Sequence, residues 1–255
     1  MKNVLTVSGI FSWPGLKPAL AGLMLLGMAA YSRAAEPVVI PPSALPYGYS
    51  YEEWSAKWWQ WSLGLSTKNM ENVGKPAICE GPASTVRFLG GVYGFGTNVV
   101  THKVTIAEGT PLFFSILSAE DDNTACPVSD FGTNTAAQLT AAVIGLWGQA
   151  SETTCTIDGV AVEGMEDPTN SVYNVVSPAF SYTTAEKDND LILISGEDCI
   201  PGGLTVYPAV TDGVYLMLSP LKPGHHTIKF VGTVGPLSGP FVDDEGTYEI
   251  EVVSP

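Results

Sequence analysis

The chain has 255 residues, and its 26 Asp and Glu against 11 Lys and Arg give a formal net charge of −15 at pH 7. A surface that binds nucleic acid needs Lys and Arg to displace counterions from phosphate. This composition therefore excludes a nucleic-acid partner and disfavours an anionic membrane surface. The length is ample for a sizeable core in one large domain.

The N-terminal 34 residues contain the three parts of a secretory signal. Lys2 and Lys17 make the start positive, Ala19 to Ala30 is an uninterrupted apolar and small-residue run, and Ala34 supplies a small residue before a cut. Crossing a bilayer takes roughly 20 apolar residues, more than this run offers. We therefore expect residues 1–34 to be a signal peptide and the mature chain to be periplasmic or extracellular without a membrane span. An uncleaved anchor is the alternative.

Four cysteines follow the predicted signal: Cys79, Cys126, Cys155 and Cys199. In an oxidising compartment an even number of cysteines indicates disulfides. No two of them have the C-x₂₋₄-C spacing of a zinc site. We therefore expect two disulfides with a structural role. The sequence leaves three pairings open and slightly favours Cys126–Cys155, which would clamp the two ends of a helix predicted between them.

The mature chain begins with an arm and a helix. Residues 35–49 contain four prolines, which remove backbone donors and block helix, so an extended arm of polyproline II type is predicted. Ser50 and Glu53 have the spacing of a capping box, in which each side chain bonds to the backbone N–H of the other residue. A helix is therefore predicted over about 51–64.

Four tryptophans lie within this first helix. Trp54, Trp58 and Trp61 recur at helical intervals and are predicted to share one face, which suits docking onto a sheet. Trp59 is predicted to project from a neighbouring angle. A flat ring of this kind can stack on a sugar, so Trp59 is the ligand-binding candidate of the helix, with packing as the alternative role.

Further along the chain, two local signals stand out. A second helix is predicted over 134–148, where Thr135 and Gln138 again have capping-box spacing. Asp158-Gly159 lies between two runs of β-branched residues and predicts a tight hairpin with a type I′ turn.

The rest of the chain is rich in short β-branched and aromatic runs separated by turn residues. Nine or ten such strands predict a mainly β fold, an antiparallel β-sandwich of Ig-like or jelly-roll-like type, with the two helices inserted in a single domain over 50–255. The strands are predicted near 86–96, 98–106, 111–119, 155–165, 171–176, 179–184, 191–195, 213–219, 225–234 and 247–254.

Three blocks carry a resemblance to known proteins. The run YEEWSAKWWQW from Tyr51 to Trp61 resembles the start of a group of exported bacterial proteins of unassigned function that share a Y-x-E-W-x-x-x-W-W-Q-W helix. LFFSIL at 112–117 and PGHHTIKF at 223–230 resemble two further blocks of that group. Lys229 stands where the group often has histidine, so any metal or proton role of that histidine does not transfer. The resemblance implies a fold and an exported location, and no activity.

Acidic residues cluster directly after one predicted strand and before Cys126. Glu120, Asp121 and Asp122 are ligand-binding candidates, and Asp121, Asp122 and Asn123 are weak candidates for calcium ligands because clustered carboxylate and amide oxygens suit that ion. The spacing does not match the D-x-[DN]-x-[DN]-G calcium loop. Solvated acids in a turn are the alternative.

The three histidines, His102, His225 and His226, are few and scattered. His225 and His226 are adjacent on a predicted strand, so their side chains point to opposite faces and cannot hold one ion together without a bulge. We interpret them as polar residues near a turn; a pairing of His226 with His102 across the sheet is the alternative.

No pattern in the chain names a reaction, since it has neither a G-x-S-x-G turn nor a G-x-x-x-x-G-K-[ST] phosphate loop. The leading hypothesis is a secreted or periplasmic non-catalytic binding domain whose ligand is a glycan or a cell-surface component. Two alternatives stay open: a structural envelope protein that self-associates, and a hydrolase or lyase that acts on an extracellular polymer through paired carboxylates. Under any of these hypotheses, calcium is an optional cofactor.

Overall fold

A computed structural model describes residues 39–66, 86–91, 96–189, 199–236 and 242–254. These residues belong to one compact unit, Pro37–Pro255. The predicted signal peptide, Cys79 and the strand predicted at 191–195 lie outside the described residues. Within the described ranges, no helix is long and apolar enough to cross a membrane.

The chain is mainly β, and its described strands form two sheets. The six-stranded sheet is organised around the long strand β9, which pairs with β4 along one edge and with β1, β7 and β8 along the other. The five-stranded sheet has the order β3-β11-β10-β5-β6. The strands are β1 Val39–Ile40, β2 Arg87–Phe88, β3 Gly96–Ala107, β4 Leu112–Asp121, β5 Ala150–Ile157, β6 Val160–Ala161, β7 Asn174–Val176, β8 Phe180–Thr183, β9 Thr205–Leu218, β10 Gly224–Val234 and β11 Val242–Val253.

The predicted all-antiparallel arrangement is wrong for two strand pairs. β3 and β11 run parallel over twelve residues, from Gly96 opposite Val242 to Ala107 opposite Val253, and the short β2 runs parallel to β4. The sequence of a strand alternates in the same way whichever direction its neighbour takes. The partners β3 and β11 are also far apart in the chain, so no connecting turn fixes their direction.

The two sheets contact each other through one hydrophobic core. Phe114 and Leu216 of the six-stranded sheet belong to the same buried cluster as Ile228 and Tyr248 of the five-stranded sheet. The sheets approach each other closely at Gly232, where a Cβ would lie 2.8 Å from the Cβ of Leu117 in the opposite sheet. Glycine is therefore required there, since any side chain would push the sheets apart.

The first helix, α1, spans Tyr51–Leu63 and confirms the predicted capping box. Ser50 Oγ accepts from the Glu53 amide at 3.3 Å, and the Glu53 carboxylate accepts from the Ser50 amide at 2.8 Å. Trp54 and Trp58 are buried against the six-stranded sheet, and their ring N–H groups donate to backbone carbonyls at 2.8 Å. Pairing each buried indole N–H avoids a desolvation cost of about 1–3 kcal/mol.

The predicted extended arm is interrupted. After β1, the chain makes two single-turn 3₁₀ helices, Pro42–Ala44 and Pro46–Gly48. Leu45 and Tyr47 adopt positive φ values of 47° and 56°, which turn the chain toward the start of α1. The arm is thereby folded onto the sheet, and the Tyr51 hydroxyl, which donates to the Ile40 carbonyl at 2.7 Å, ties the two together.

The second helix, α2, spans Ala136–Trp147, and its predicted cap by Thr135 and Gln138 is confirmed. Leu139 and Val143 pack on Val210 of β9. The hairpin at Asp158-Gly159 is also confirmed, because β5 and β6 pair around this dipeptide and both turn residues have positive φ, 52° and 79°.

The predicted disulfide Cys126–Cys155 is wrong. Cys126 is bonded to Cys199, and Cys155 is an unpaired thiol. Cys155 alternates with Ile157 on the face of β5 that points into the core, where it is 2% exposed. A thiol among core side chains behaves as a small apolar residue, and its sequence spacing alone does not distinguish that role from a bridge.

Candidate functional site

The structure places Trp59 in the core, and so the prediction that it projects away from the docked face is wrong. The residue is 4% exposed, and its Nε1–H donates to the Tyr215 hydroxyl at 2.9 Å. The buried face of α1 is broad because it includes the small residues Ser55 and Ser62. Because serine is polar, the sequence pattern did not indicate how wide this buried face is. The ring of Trp59 has no free face on which a sugar could stack.

The Trp59 bond starts a buried chain of hydrogen bonds between α1 and the six-stranded sheet. The Tyr215 and Thr211 hydroxyls lie 2.8 Å apart, and Thr211 donates to the Ala119 carbonyl at 2.7 Å. Because Thr211 uses its proton there, Tyr215 donates to Thr211. Burial raises the pKa of the Tyr215 phenol well above its usual value, which keeps the phenol protonated. These residues hold the helix in place, which is a structural role.

In the structure, the residues of the predicted acidic site have different environments and partners. Glu120 and Asp121 are the last residues of β4, and burial with the neighbouring Asp122 raises the pKa of Asp121. Asp122 Oδ1 accepts from the amide and hydroxyl of Thr124 at 2.6 and 2.7 Å, and its Oδ2 accepts from Tyr182. The oxygens of Asp122 therefore hold the loop that leads to the disulfide.

Asn123 has a similar structural role. Its amide group bonds to both the N–H and the carbonyl of Asn134, at 2.8 and 3.0 Å, and so joins the loop to the start of α2. Over the described part of the chain, no group of three or more His, Cys, Asp or Glu side chains is arranged to hold a metal ion. Asp121, Asp122 and Asn123 as calcium ligands, and Glu120 as a ligand-binding residue, gain no support from this geometry.

The histidines are separated. His102 stacks on Tyr248 with ring centroids 5.5 Å apart, and burial lowers its pKa. His226 Nδ1 lies 2.7 Å from Asp158 Oδ2, and its Nε2 lies 2.8 Å from the Lys222 carbonyl. The possible pairing of His226 with His102 is therefore absent, and His226 holds the β5–β6 hairpin beside the start of β10.

The outer face of the five-stranded sheet carries a set of polar groups that converge on one place. Thr101, Thr247, Lys229 and Thr156 lie side by side across β3, β11, β10 and β5. Adjacent strands are about 4.8 Å apart, so this row extends over roughly 14 Å. The row belongs to an open depression of about 820 Å³, lined by Thr101, Thr156, Asp158, Gly159, Thr227, Lys229, Thr247 and Glu249. We refer to these eight residues as the polar face.

Two contacts fix the rim of the polar face. At one end, Lys103 Nζ bonds Glu249 Oε2 at 3.0 Å, with both side chains more than half exposed. At the other end, Asp158 Oδ1 accepts from the Thr227 amide at 2.9 Å while its Oδ2 faces His226. The face therefore has hydroxyls in the middle, anions near both ends and one ammonium group in the central row.

Sequence reasoning missed the polar face because its residues come from four strands and one hairpin. The available signal was the alternation of polar residues on each strand, such as Thr101-x-Lys103, Thr227-x-Lys229 and Thr247-x-Glu249. Alternation gives the outward face of one strand. It does not say which strands are neighbours, so the convergence follows only from the sheet order.

Comparisons with known proteins leave the family open. No known family model and no curated protein matches the chain. Among solved structures, the chain is similar to one described as the structure of PbICP-C in complex with falcipain-2, with 14% identity and a TM-score of 0.28 over 66% of this chain and 99% of the other. A likeness of that size carries no argument about fold or function, and the chain is assigned to no family.

Proposed function

We propose that this chain is an exported, non-catalytic domain that binds a neutral glycan chain on its polar face. The observation that carries the proposal is the open depression on the outer side of the five-stranded sheet, where hydroxyl, ammonium and carboxylate groups from four strands converge. The two contacting sheets suit an Ig-like or jelly-roll-like sandwich, and the Cys126–Cys199 bond suits an oxidising compartment.

The chemistry of the face favours a polyhydroxylated ligand. Each threonine hydroxyl both donates and accepts, Lys229 donates only, and the carboxylates of Asp158 and Glu249 accept only. Sugar hydroxyls need donors and acceptors in equal measure. The depression is open rather than enclosed, which suits a chain that continues beyond both ends. The formal charge of −15 disfavours polyanionic glycans, so the ligand class is neutral.

The test uses matched threonine-to-valine changes. The double variant Thr156→Val and Thr247→Val removes two hydroxyls from the polar face and keeps β-branched side chains on both strands. Thr205→Val makes the same change on an exposed position of β9 in the other sheet. A panel of soluble neutral polysaccharides is screened with all three proteins, and hits are measured by calorimetry. We expect the double variant to weaken binding at least tenfold and Thr205→Val to leave it unchanged. No binding by wild type, or equal binding by the double variant, contradicts the proposal.

A second candidate function is self-association of a structural envelope protein, and one observation favours it. Within the described ranges, the twelve-residue β3 is the end strand of its sheet and pairs only with β11. A long end strand presents backbone groups that another chain can pair with. Val99, 71% exposed on this strand, marks the position to test. Light scattering at high concentration should show dimers or larger species that Val99→Lys reduces, and a strict monomer excludes this function.

A further inference from the structure

Asp212 is a buried carboxyl in the middle of β9. It is 2% exposed, and it lies opposite Ala119 of β4 on one side and Val176 of β7 on the other. Alternate residues of a strand share a face, so Asp212 shares its face with Val210. Val210 packs on Leu139 and Val143 of α2, with Ala119 beside them. The carboxyl of Asp212 therefore lies on the face of the sheet that α2 covers.

The strands beside Asp212 and the helix above it supply no cation to balance a negative charge. None of the four elements around it (β4, β7, β9 and α2) contains Lys, Arg or His. The titratable groups that these elements contribute are Glu120 and Asp121 of β4 and the phenols of Tyr207 and Tyr215 of β9. On the inner side of the facing sheet, Asp244 accepts from Asn98 and His102 stacks on Tyr248. The four elements around Asp212 therefore offer only acids, which cannot stabilise a carboxylate there, and Asp244 and His102 have partners within their own sheet.

The hydrogen bonding of Asp212 is also incomplete. The Gly213 amide donates to its carboxyl group, while Oδ1 is fully buried and has no hydrogen-bond partner among the described residues. An ionised oxygen in that position loses its hydration without replacement. Burial accordingly raises the pKa of Asp212 to about 6, with the Gly213 amide partly opposing the shift.

We propose that Asp212 makes the packing of α2 on the six-stranded sheet sensitive to protons: the neutral acid holds the helix down, and the carboxylate loosens it. The direction follows from the environment. Below the folded-state pKa, the neutral side chain is compatible with Val143 and Val210. Above that pKa the charge must regain water. Displacement of α2 would admit it, since this helix packs through Leu139, Val143 and Trp147 and most of its other residues are exposed.

The loosening has a defined extent. The segment before α2 is held by the Cys126–Cys199 bond and by the bonds from Asn123 to Asn134. The second residue after the helix, Gln149, is tied to the end of β10, since its carbonyl accepts from the Gly235 amide at 2.8 Å. The helix therefore moves between two fixed ends, and the proposal concerns its own amides rather than unfolding of the sheets.

The test is amide hydrogen exchange at pH 5.0 and pH 7.5, corrected for intrinsic exchange rates. In wild type, we expect the protection of the α2 amides to fall between pH 5.0 and pH 7.5 at least tenfold further than the protection of the β10 and β11 amides. Asp212→Asn, which is neutral at both pH values, should remove the difference. The matched control Asp244→Asn, at a buried acid of the other sheet, should retain it.

Loss of α2 protection no greater than that of β10 and β11 in wild type overturns the proposal, and so does an excess loss in α2 that persists in Asp212→Asn. If Asp212→Asn fails to fold, carboxyl ¹³C NMR of wild type replaces it. The Asp212 carboxyl and the α2 amides must then titrate with the same midpoint near pH 6, and separate midpoints refute the link. None of these readouts depends on ligand binding.

Discussion

The Cys126–Cys199 bond is the feature whose removal has the most predictable effect. The perturbation is the double variant Cys126→Ser and Cys199→Ser, which removes both thiols so that neither is left to form a new bridge. The two cysteines are 73 residues apart in the sequence. Closing a loop of that length restricts the unfolded chain by about 4 kcal/mol in the loop-entropy relation.

A loss of about 4 kcal/mol in the free energy of unfolding is a large fraction of the 5–15 kcal/mol typical of a folded domain. For a chain of this size, each kcal/mol shifts the Tm by roughly 2–4 °C, so the double variant should melt roughly 8–16 °C below wild type. Urea unfolding followed by tryptophan fluorescence, together with calorimetry, measures both quantities.

The control is Cys155→Ala, which removes one buried thiol and no bridge. It should lose only about 1–2 kcal/mol, the cost of a small cavity. A peptide map without reduction should join the Cys126 and Cys199 peptides. The reasoning is refuted if the double variant loses less than 1 kcal/mol, or if the map joins Cys126 to Cys155.

Three further predictions concern buried groups. Burial raises the pKa of Asp244 to about 6, so the folded state holds this proton more tightly than the unfolded chain does. The free energy of unfolding should therefore fall by about 2 kcal/mol as pH rises from 4 to 7. In urea titrations, the decline for Asp244→Asn should be smaller than that of wild type by this amount. Tyr215→Phe leaves the Trp59 N–H unpaired and should cost about 2 kcal/mol in urea unfolding, whereas Tyr207→Phe, at a 66% exposed position, should cost nothing measurable. Burial raises the pKa of the Cys155 thiol to about 12. Mass spectrometry should therefore find Cys155 unmodified by iodoacetamide at pH 8 until denaturant is added. Modification of the native protein would contradict the place of Cys155 in the core.

The features that the sequence predicted correctly are those encoded by neighbouring residues. Ser50 and Glu53 are three residues apart, as a capping box requires, and both helices begin where such a box occurs. The hairpin at Asp158-Gly159 likewise depends on two adjacent residues that tolerate positive φ.

The features that the sequence could not supply depend on contacts between distant segments. The burial of Trp59 follows from Tyr215, 156 residues away, whose hydroxyl accepts its N–H. The sequence spacing of Cys155 is as compatible with a bridge as that of Cys126 or Cys199. Cys155 is a core residue because it lies on the inward side of β5. The parallel register of β3 and β11 places Thr101 beside Thr247 in one row. No local sequence pattern predicts that pairing.

The central claim is that the outer face of the five-stranded sheet is a binding surface. Mapping of backbone amide chemical shifts tests this claim most directly. The probes are soluble neutral oligosaccharides, cellohexaose and chitohexaose among them, added to saturation to ¹⁵N-labelled protein. The account predicts that a binding oligosaccharide shifts amides of β3, β5, β10 and β11 around Thr156, Lys229 and Thr247. Shifts confined to α1 and β9, or no shift with any neutral glycan tested, would contradict it.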